Sequence, residues 1–385
     1  MVRAVRMGEG LRAVARQFGV SVSPVSHWVE HARGKSLSRV SFTSGRPGAA
    51  WNRTAASVEA RIVETRSTLR KHSVLGEYGA DAIAMTLNAD SKRPLAVSRA
   101  TIYRVLDRRG ALDAVHRKRR PSPPKGWYLP DLARGEVEMD CFDFVEDLKI
   151  ANGPLVCLLT GISLHGGLAD AWVMEQRRTS ATMQALLQRW RSHGMPTYAQ
   201  FDNDAVFQGA HQFADAVGRV SRLCLALGVI PVFAPPREPG LQNAIEGFNA
   251  LWQSKVWQRH HCASIGILRR VSAAYIEAHS VKTAHRRDRA APRRLVPKVF
   301  SFDPQAPLQG LMIFVRRSDE RGNVHLLGRA YPVDRSWPHR LVRCEVNFTH
   351  RRIRFYALRR REPEHQPLLR ETAYPKQNQP ARSKK

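Results

Sequence analysis

Glu136-Val137-Glu138-Met139-Asp140-Cys141-Phe142 alternates charged and apolar side chains with a period of two, the pattern of a strand with one face toward a core. Downstream, Leu155 to Ile162 is a near-continuous apolar run typical of a central strand, and Gly167 to Met174 reads as a third strand. Met183, Leu186, Leu187 and Trp190 recur at helical spacing over residues 180–192, predicting an amphipathic helix ended by Gly194 and Pro196. A strand from Tyr198 to Asp202, a helix from Gln212 to Leu227 stopped by Gly228, and a strand from Val229 to Ala234 follow. After the break at Pro235-Pro236 comes a helix from about Gln242 to Gln258. The predicted order is three strands, helix, strand, helix, strand, helix.

Upstream, residues 11–29 fit a helix-turn-helix pattern. Val14, Ala15 and Phe18 form the buried side of the first helix, Gly19 permits the turn, and Val20, Val25 and Trp28 pack the second. Ser23 suits its N-cap and Pro24 its first turn, leaving Ser23, Ser26 and His27 to face a DNA groove. The first module is set at residues 1–34, and its start so close to Met1 leaves no room for a preceding helix of normal length, as in a chain whose start is placed late. Residues 35–54 read as a linker, in which Arg46 of Gly45-Arg46-Pro47-Gly48 could enter a narrow minor groove, a solvated linker being the simpler reading. Residues 55–115 form a second helix-turn-helix-like domain, with Ser98 capping a helix that presents Arg99, Thr101 and Arg104. A three-helix packing unit is the plainer alternative.

A basic, Pro-rich linker at 116–132 leads to the α/β unit at 133–262, and a helical, Arg-rich connector follows at 263–305. Residues 306–361 carry short strands separated by turn chemistry such as Arg321-Gly322-Asn323, for which a small β-barrel is the economical fold. The tail at 362–385 is polar and basic and expected to be disordered. The predicted fold class is therefore multidomain: all-α helix-turn-helix modules, a central α/β core and a C-terminal small β-barrel.

The chain has 62 Lys plus Arg against 33 Asp plus Glu, a net charge of +29, more than solubility requires. Such an excess points to a phosphate-bearing partner, against the alternatives of a ribosomal or tail-type protein or an Arg-rich proteome. The five cysteines are scattered without C-x-x-C spacing, and His260-His261-Cys262 lacks a second ligand pair, which suits a reducing compartment and not a zinc knuckle. No apolar run approaches a membrane span, so a cytoplasmic protein associated with a bacterial nucleoid, with no membrane partner, is expected.

Within this basic chain, Asp140 sits in a strand, Asp202 ends another in Phe201-Asp202-Asn203, and Glu246 lies between the apolar positions Ile245, Phe248 and Trp252 of a helix. Displacement at a phosphodiester needs charge stabilised on the attacking and leaving oxygens together, which two divalent ions about 3.5–4 Å apart achieve. Mg²⁺ takes oxygen ligands and keeps waters, so three carboxylates suffice. Asp143 is a rival for the first position, set aside because alternation turns it to the opposite face from Asp140. Lys255 and Arg259 are candidate phosphate contacts, solvated charges being the alternative. Trp252 and Trp257 read as core, and His165 and His193 show no catalytic partner pattern.

The order of elements is that of the ribonuclease H-like fold. Residues 137–257 resemble the catalytic core of retroviral integrases and insertion-sequence transposases, with Met139-Asp140, Asp202-Asn203 and Pro239-Gly240-Leu241-Gln242-Asn243 leading to Glu246 as the matching motifs. Asp204 after Asp-Asn, a longer Asp202-to-Glu246 interval and Gly247 after the Glu are departures from that pattern. The resemblance implies a DDE-type transposase that cleaves DNA and transfers strands at the ends of a mobile element. It implies Asp140, Asp202 and Glu246 as catalytic metal ligands and two Mg²⁺ or Mn²⁺ ions as cofactor. Terminal inverted repeats and target DNA would be the partners, bound by a homo-oligomer. The alternatives are a sequence-specific DNA-binding regulator with an inactive nuclease-like core and a structure-specific nuclease of the same fold.

Overall fold

The computed structural model describes residues 1–40, 54–112, 124–151, 153–209, 213–236, 238 and 240–375. Three short helices, Val2–Arg6 (α1), Leu11–Gln17 (α2) and Val22–His31 (α3), close over Val14, Ala15 and Val25. Gly19, at φ +63°, makes the left-handed turn between α2 and α3. The N-cap position falls on Ser21, not on Ser23 as expected, and Phe18 and Val20 are 50% and 39% exposed. So small a core has no surface left to cover them. A second helical unit, Ala56–His72 (α4), Ala80–Ala89 (α5) and Arg99–Arg108 (α6), encloses Ile62, Ile83, Leu87, Ile102, Val105 and Leu106. Ser98 caps α6 as expected, its hydroxyl accepting the Thr101 N–H at 3.2 Å. Buried Glu59 on α4 accepts from Arg108 and Arg109, tying the first helix of this unit to the third.

The second half of the expected basic linker belongs to the core. Trp127, Tyr128, Leu129 and Leu132 are buried, with Pro130–Ala133 forming α7, because these apolar side chains join the cluster on one face of the sheet that follows. Met139–Lys149 (β1), Leu155–Ser163 (β2) and Ala169–Met174 (β3) make an antiparallel meander. Thr179–His193 (α8) leads to Tyr198–Phe201 (β4), which pairs parallel to β1. Next come Ala205–Gln208 (α9) and Arg219–Ala226 (α10), so the described helix is shorter than the expected one, and Gln212 lies outside the described residues. Ile230–Phe233 (β5) pairs parallel to β4, and Asn243–Trp252 (α11) runs on through a π-helical turn at Gln253–Trp257. Ile265–Arg287 (α12) is a single long helix. The order β3-β2-β1-β4-β5 with flanking helices is consistent with the ribonuclease H-like core expected.

The two faces of this sheet bury different clusters. Phe142, Phe201 and Phe233 pack with Leu186, Trp190, Val220 and Leu223 beneath α8 and α10. Met139, Cys141, Val145, Tyr198 and Val232 pack with Ile245, Phe248, Trp252 and Leu268 beneath α11 and α12. Period-two alternation along β1 decides which residue meets which layer.

The expected C-terminal barrel is not a separate unit. Leu311–Arg317 (β6) pairs parallel with β5 through Val232↔Ile313 and Phe233↔Phe314. Asn323–Leu326 (β7) and Arg329–Pro332 (β8) form a hairpin of their own. Leu341–Asn347 (β9), Arg352–Ala357 (β10) and Leu368–Ala373 (β11) continue outward from β6, giving one nine-stranded sheet in the order β11-β10-β9-β6-β5-β4-β1-β2-β3. Without β6, β5 would present a row of unpaired backbone groups. The Phe233 and Phe314 rings stack at 5.2 Å, and Cys344, Val346 and Phe355 enter the same cluster as Trp190, so one core spans both parts. Strand β11 also falls within the tail expected to be disordered, while residues 376–385 lie outside the described residues. Among the described residues, no helix is long and apolar enough to cross a membrane.

Candidate active site

Asp140 is fully buried on the α8 face of the sheet. Arg189 donates to its carboxylate from Nε at 3.0 Å and Nη2 at 2.9 Å, Arg293 from Nη1 at 3.1 Å and Nη2 at 2.6 Å, and the Trp190 indole at 3.1 Å. Arg189 also binds Asp170 and the Leu168 carbonyl, so the buried charges are paired. Burial alone would raise the Asp140 pKa, but the guanidinium groups of Arg189 and Arg293 hold it well below the usual carboxylate range. A carboxylate saturated by five donors has no lone pair free for an ion. The expectation that Asp140 joins Asp202 and Glu246 is corrected on this geometry.

Asp143 stands where Asp140 was expected. The β1–β4 register pairs Met139↔Tyr198, Asp140↔Ala199 and Cys141↔Gln200, and carried two residues further it sets Asp143 beside Asp202. Asp140 lies three residues back, roughly 10 Å down the strand at the usual rise per residue. Glu246 projects from the first turn of α11, whose Ile245, Phe248 and Trp252 are buried against the same sheet face as Cys141 and Val145. Asn249, one turn further along α11 and 6% exposed, donates from Nδ2 to Asp143 Oδ2 at 2.8 Å and accepts the Thr160 hydroxyl at 2.7 Å. Thr160 shares its hydroxyl with the Asp143 carbonyl at 3.0 Å, so β1, β2 and α11 are tied together at this point. On the other side, Asn203 donates to the Ala234 carbonyl at 2.6 Å and accepts from Arg316 of β6 at 2.7 Å, fixing the loop that carries Asp202.

Asp143, Asp202 and Glu246 line a single open cleft of about 820 Å³, with Glu146, Asp147, Asp204, Arg177 and Asn249 around them. Burial pushes Asp143 up to about 7, aided by the charges of Asp202 and Glu246 and opposed by hydrogen bonds from the Phe144 N–H and Asn249. Asp202 is also raised, by burial first, with the Asp204 N–H opposing and the Asp204 charge adding to it. Arg177 reaches Glu146 and Asp204 at 2.5 Å each, at the rim. Among the described residues, no three His, Cys, Asp or Glu side chains are gathered tightly enough to hold an ion as they stand. The donor set nevertheless suits a hard divalent cation: its carboxylates supply oxygen ligands, negative charge is crowded there, and burial together with neighbouring carboxylates suppresses the ionisation of Asp143 and Asp202.

The other expected contacts divide. Ser23, Ser26 and His27 are exposed on α3, Arg99 and Arg104 are exposed on α6, and Thr101 is half-buried beside the Ser98 cap. Arg46 lies outside the described residues. Lys255 donates to the Gly76 carbonyl at 3.1 Å, and Arg259 to the carbonyls of Lys71 at 3.0 Å and of Ser73. Arg259 thus satisfies carbonyls at the C-terminal end of α4 and Lys255 one in the loop beyond it, so the donors of both expected phosphate contacts are taken up within the chain. The sequence reading missed Asn249 and demoted Asp143. The available signal was Arg189, a cation set beside Trp190 on the buried stripe of α8, which demands a carboxylate from the facing strand.

No protein-family model matches the chain, and no curated protein matches it. Solved structures do. The catalytic core domain of BIV integrase is 17% identical over 37% of this chain and 80% of that one, with a TM-score of 0.28. A simian T-cell lymphotropic virus intasome in complex with PP2A regulatory subunit B56 gamma is 12% identical over 72% and 88%, at 0.33. The HTLV-2 integrase catalytic core domain in complex with magnesium is 13% identical over 37% and 83%, at 0.27. At TM-scores this low the likeness carries no weight for this chain, whose strand order and side-chain placement speak for themselves.

Proposed function

We propose that this chain is a polynucleotidyl transferase that cuts and joins DNA at the ends of a mobile element, with Asp143, Asp202 and Glu246 as its metal-binding carboxylates. The observation that carries the reading is that these three side chains line one cleft, Asp143 within β1 beside Asp202 just past the end of β4 and Glu246 above them on α11, within a chain of net charge +29. Asp143 takes the role first given to Asp140. Two Mg²⁺ or Mn²⁺ ions held by the trio would activate the attacking water or 3′-hydroxyl and neutralise charge on the leaving oxygen. The protein's own contribution is placement. Asn249 fixes the Asp143 carboxylate on its strand, and Asn203 with Arg316 fixes the Asp202 loop. The exposed faces of α3 and α6 supply the readout of terminal inverted repeats through Ser23, Ser26, His27, Arg99, Thr101 and Arg104. Joining two ends to one target calls for a homo-oligomer on DNA, acting at the bacterial nucleoid.

The test is strand transfer from a supercoiled donor carrying the element's inverted repeats, with Mg²⁺ supplied. Nicked and joined products are expected from the wild type and none from Asp143→Asn. Full activity in Asp143→Asn sinks the site. Tight repeat-specific binding by the wild type with no metal-dependent cleavage would leave a DNA-binding regulator with an inactive core.

A further inference from the structure

Beside the acidic cleft lies a second pocket of opposite character, of about 420 Å³, lined by Lys125, Arg286 and Arg360 together with Trp127, Gln200 and Asn243, and by no carboxylate. Its wall includes Asn243 and Ala244 at the start of α11, the helix whose Glu246 and Asn249 line the acidic cleft. Lys125 and Arg286 both donate to the Leu164 carbonyl, at 3.2 and 3.1 Å, so two cations converge on one neutral oxygen. Burial and then the Arg286 charge lower the Lys125 pKa, the counterpart of the crowding at Asp143. Glu138, whose charge reaches Lys125, is already engaged by the N–H groups of Met139, His165 and Gly166. Arg360 lies against Gly240, where a Cβ would come within 2.9 Å of its Nη2, so the lack of a side chain there admits the guanidinium.

We infer that this pocket seats a backbone phosphate of the DNA strand whose neighbouring phosphodiester lies in the acidic cleft. The inference rests on the DNA-processing reading above. Two arginines and a lysine offer both planar donors and a point charge to an anion, and an anion relieves their mutual repulsion. A duplex led toward a cleft of carboxylates needs positive charge next to it, and the first turn of α11 separates the two sites by only one wall.

The experiment is a salt titration of duplex binding by the full-length protein, without metal. Lys125→Ala and Arg360→Ala are each expected to lower the slope of log K against log salt by about 0.9, the value for one phosphate contact, and to weaken all sequences alike. Arg321→Ala, which removes a charge that is 82% exposed in the turn between β6 and β7 and does not line the pocket, should leave the slope as in the wild type. Lys125→Arg and Arg360→Lys should restore it. Unchanged slopes in both alanine variants overturn the proposal. So does inorganic phosphate that shields Lys125 from acylation as fully as duplex does, since the ligand is then a small free anion. Slopes that fall as expected in a protein that never cuts DNA keep the pocket and sink the transferase; cutting with unchanged slopes does the reverse.

Discussion

Asp140 and Asp143 share a strand, and the two faces of that strand treat a carboxylate in opposite ways. On the α8 face, two guanidinium groups and an indole surround Asp140, the guanidinium charges overcome burial and depress its pKa, and no further ligand can be taken. On the α11 face, burial first and then the charges of Asp202 and Glu246 raise the Asp143 pKa to about 7, with the Asn249 amide opposing. The first arrangement is complete as it stands and belongs to folding. The second crowds negative charge with little to offset it, the kind of perturbation that marks a candidate functional site.

The largest expected effect follows directly. Asp143→Asn should cut strand transfer roughly a hundred- to a thousandfold or more, the range for removing one charge-stabilising group, with the thermal midpoint unchanged or raised by relief of repulsion. Asp140→Asn should do the opposite. Removing one partner of a buried ion pair costs about 3–5 kcal/mol in denaturant unfolding, while activity per folded molecule is retained. Equal loss of activity per folded molecule in the two variants would erase the distinction between the faces.

Asn249→Ala sharpens it further. The variant strips one hydrogen bond from Asp143 and leaves Thr160 with the Asp143 carbonyl alone, at a cost of about 1–3 kcal/mol, and should raise the metal concentration needed for half-maximal activity. A pH series comes next in size. Between about 3.9 and about 7 the folded protein keeps the Asp143 proton that the unfolded chain has lost, so this group's stabilising contribution is complete below the lower value and gone above the upper one. Bound metal displaces that proton, and the rise in thermal midpoint on adding Mg²⁺ should therefore grow from pH 6 to pH 8. An equal rise at both values would contradict it. The smallest effect belongs to Arg177→Met, which breaks two exposed ion pairs and should change stability by less than about 1 kcal/mol.

Local periodicity made much of this legible. The strand and helix order, the Ser98 cap, the buried stripe of Ile245, Phe248 and Trp252, and the placement of Asp202 at a strand end all follow from spacing within a few residues. Alternation along β1 correctly separated Asp140 from Asp143. It could not say which side a helix a hundred residues away would cover, because that depends on how the chain crosses over. Lys255 and Arg259 lie beyond Glu246 as expected, yet their partners at the end of α4 and in the loop after it come from another module. The C-terminal strands were recognised as strands, but period-two patterning is the same whether a sheet closes on itself or lengthens a neighbour's. In Leu368–Ala373 no residue is buried, so nothing in its composition distinguished it from a tail.

The continuity of the nine-stranded sheet has a mechanical side. Arg316 belongs to β6 and grips Asn203, so the strands beyond it form a lever arm whose inner end rests beside Asp202. A load applied to the outer strands, whether by a second protomer or by a bent duplex, would be felt at that aspartate as a change of angle. Shortening the protein before Leu311 would then do more than remove an accessory: it would release the hinge pin and expose a sticky margin at which copies could join edge to edge.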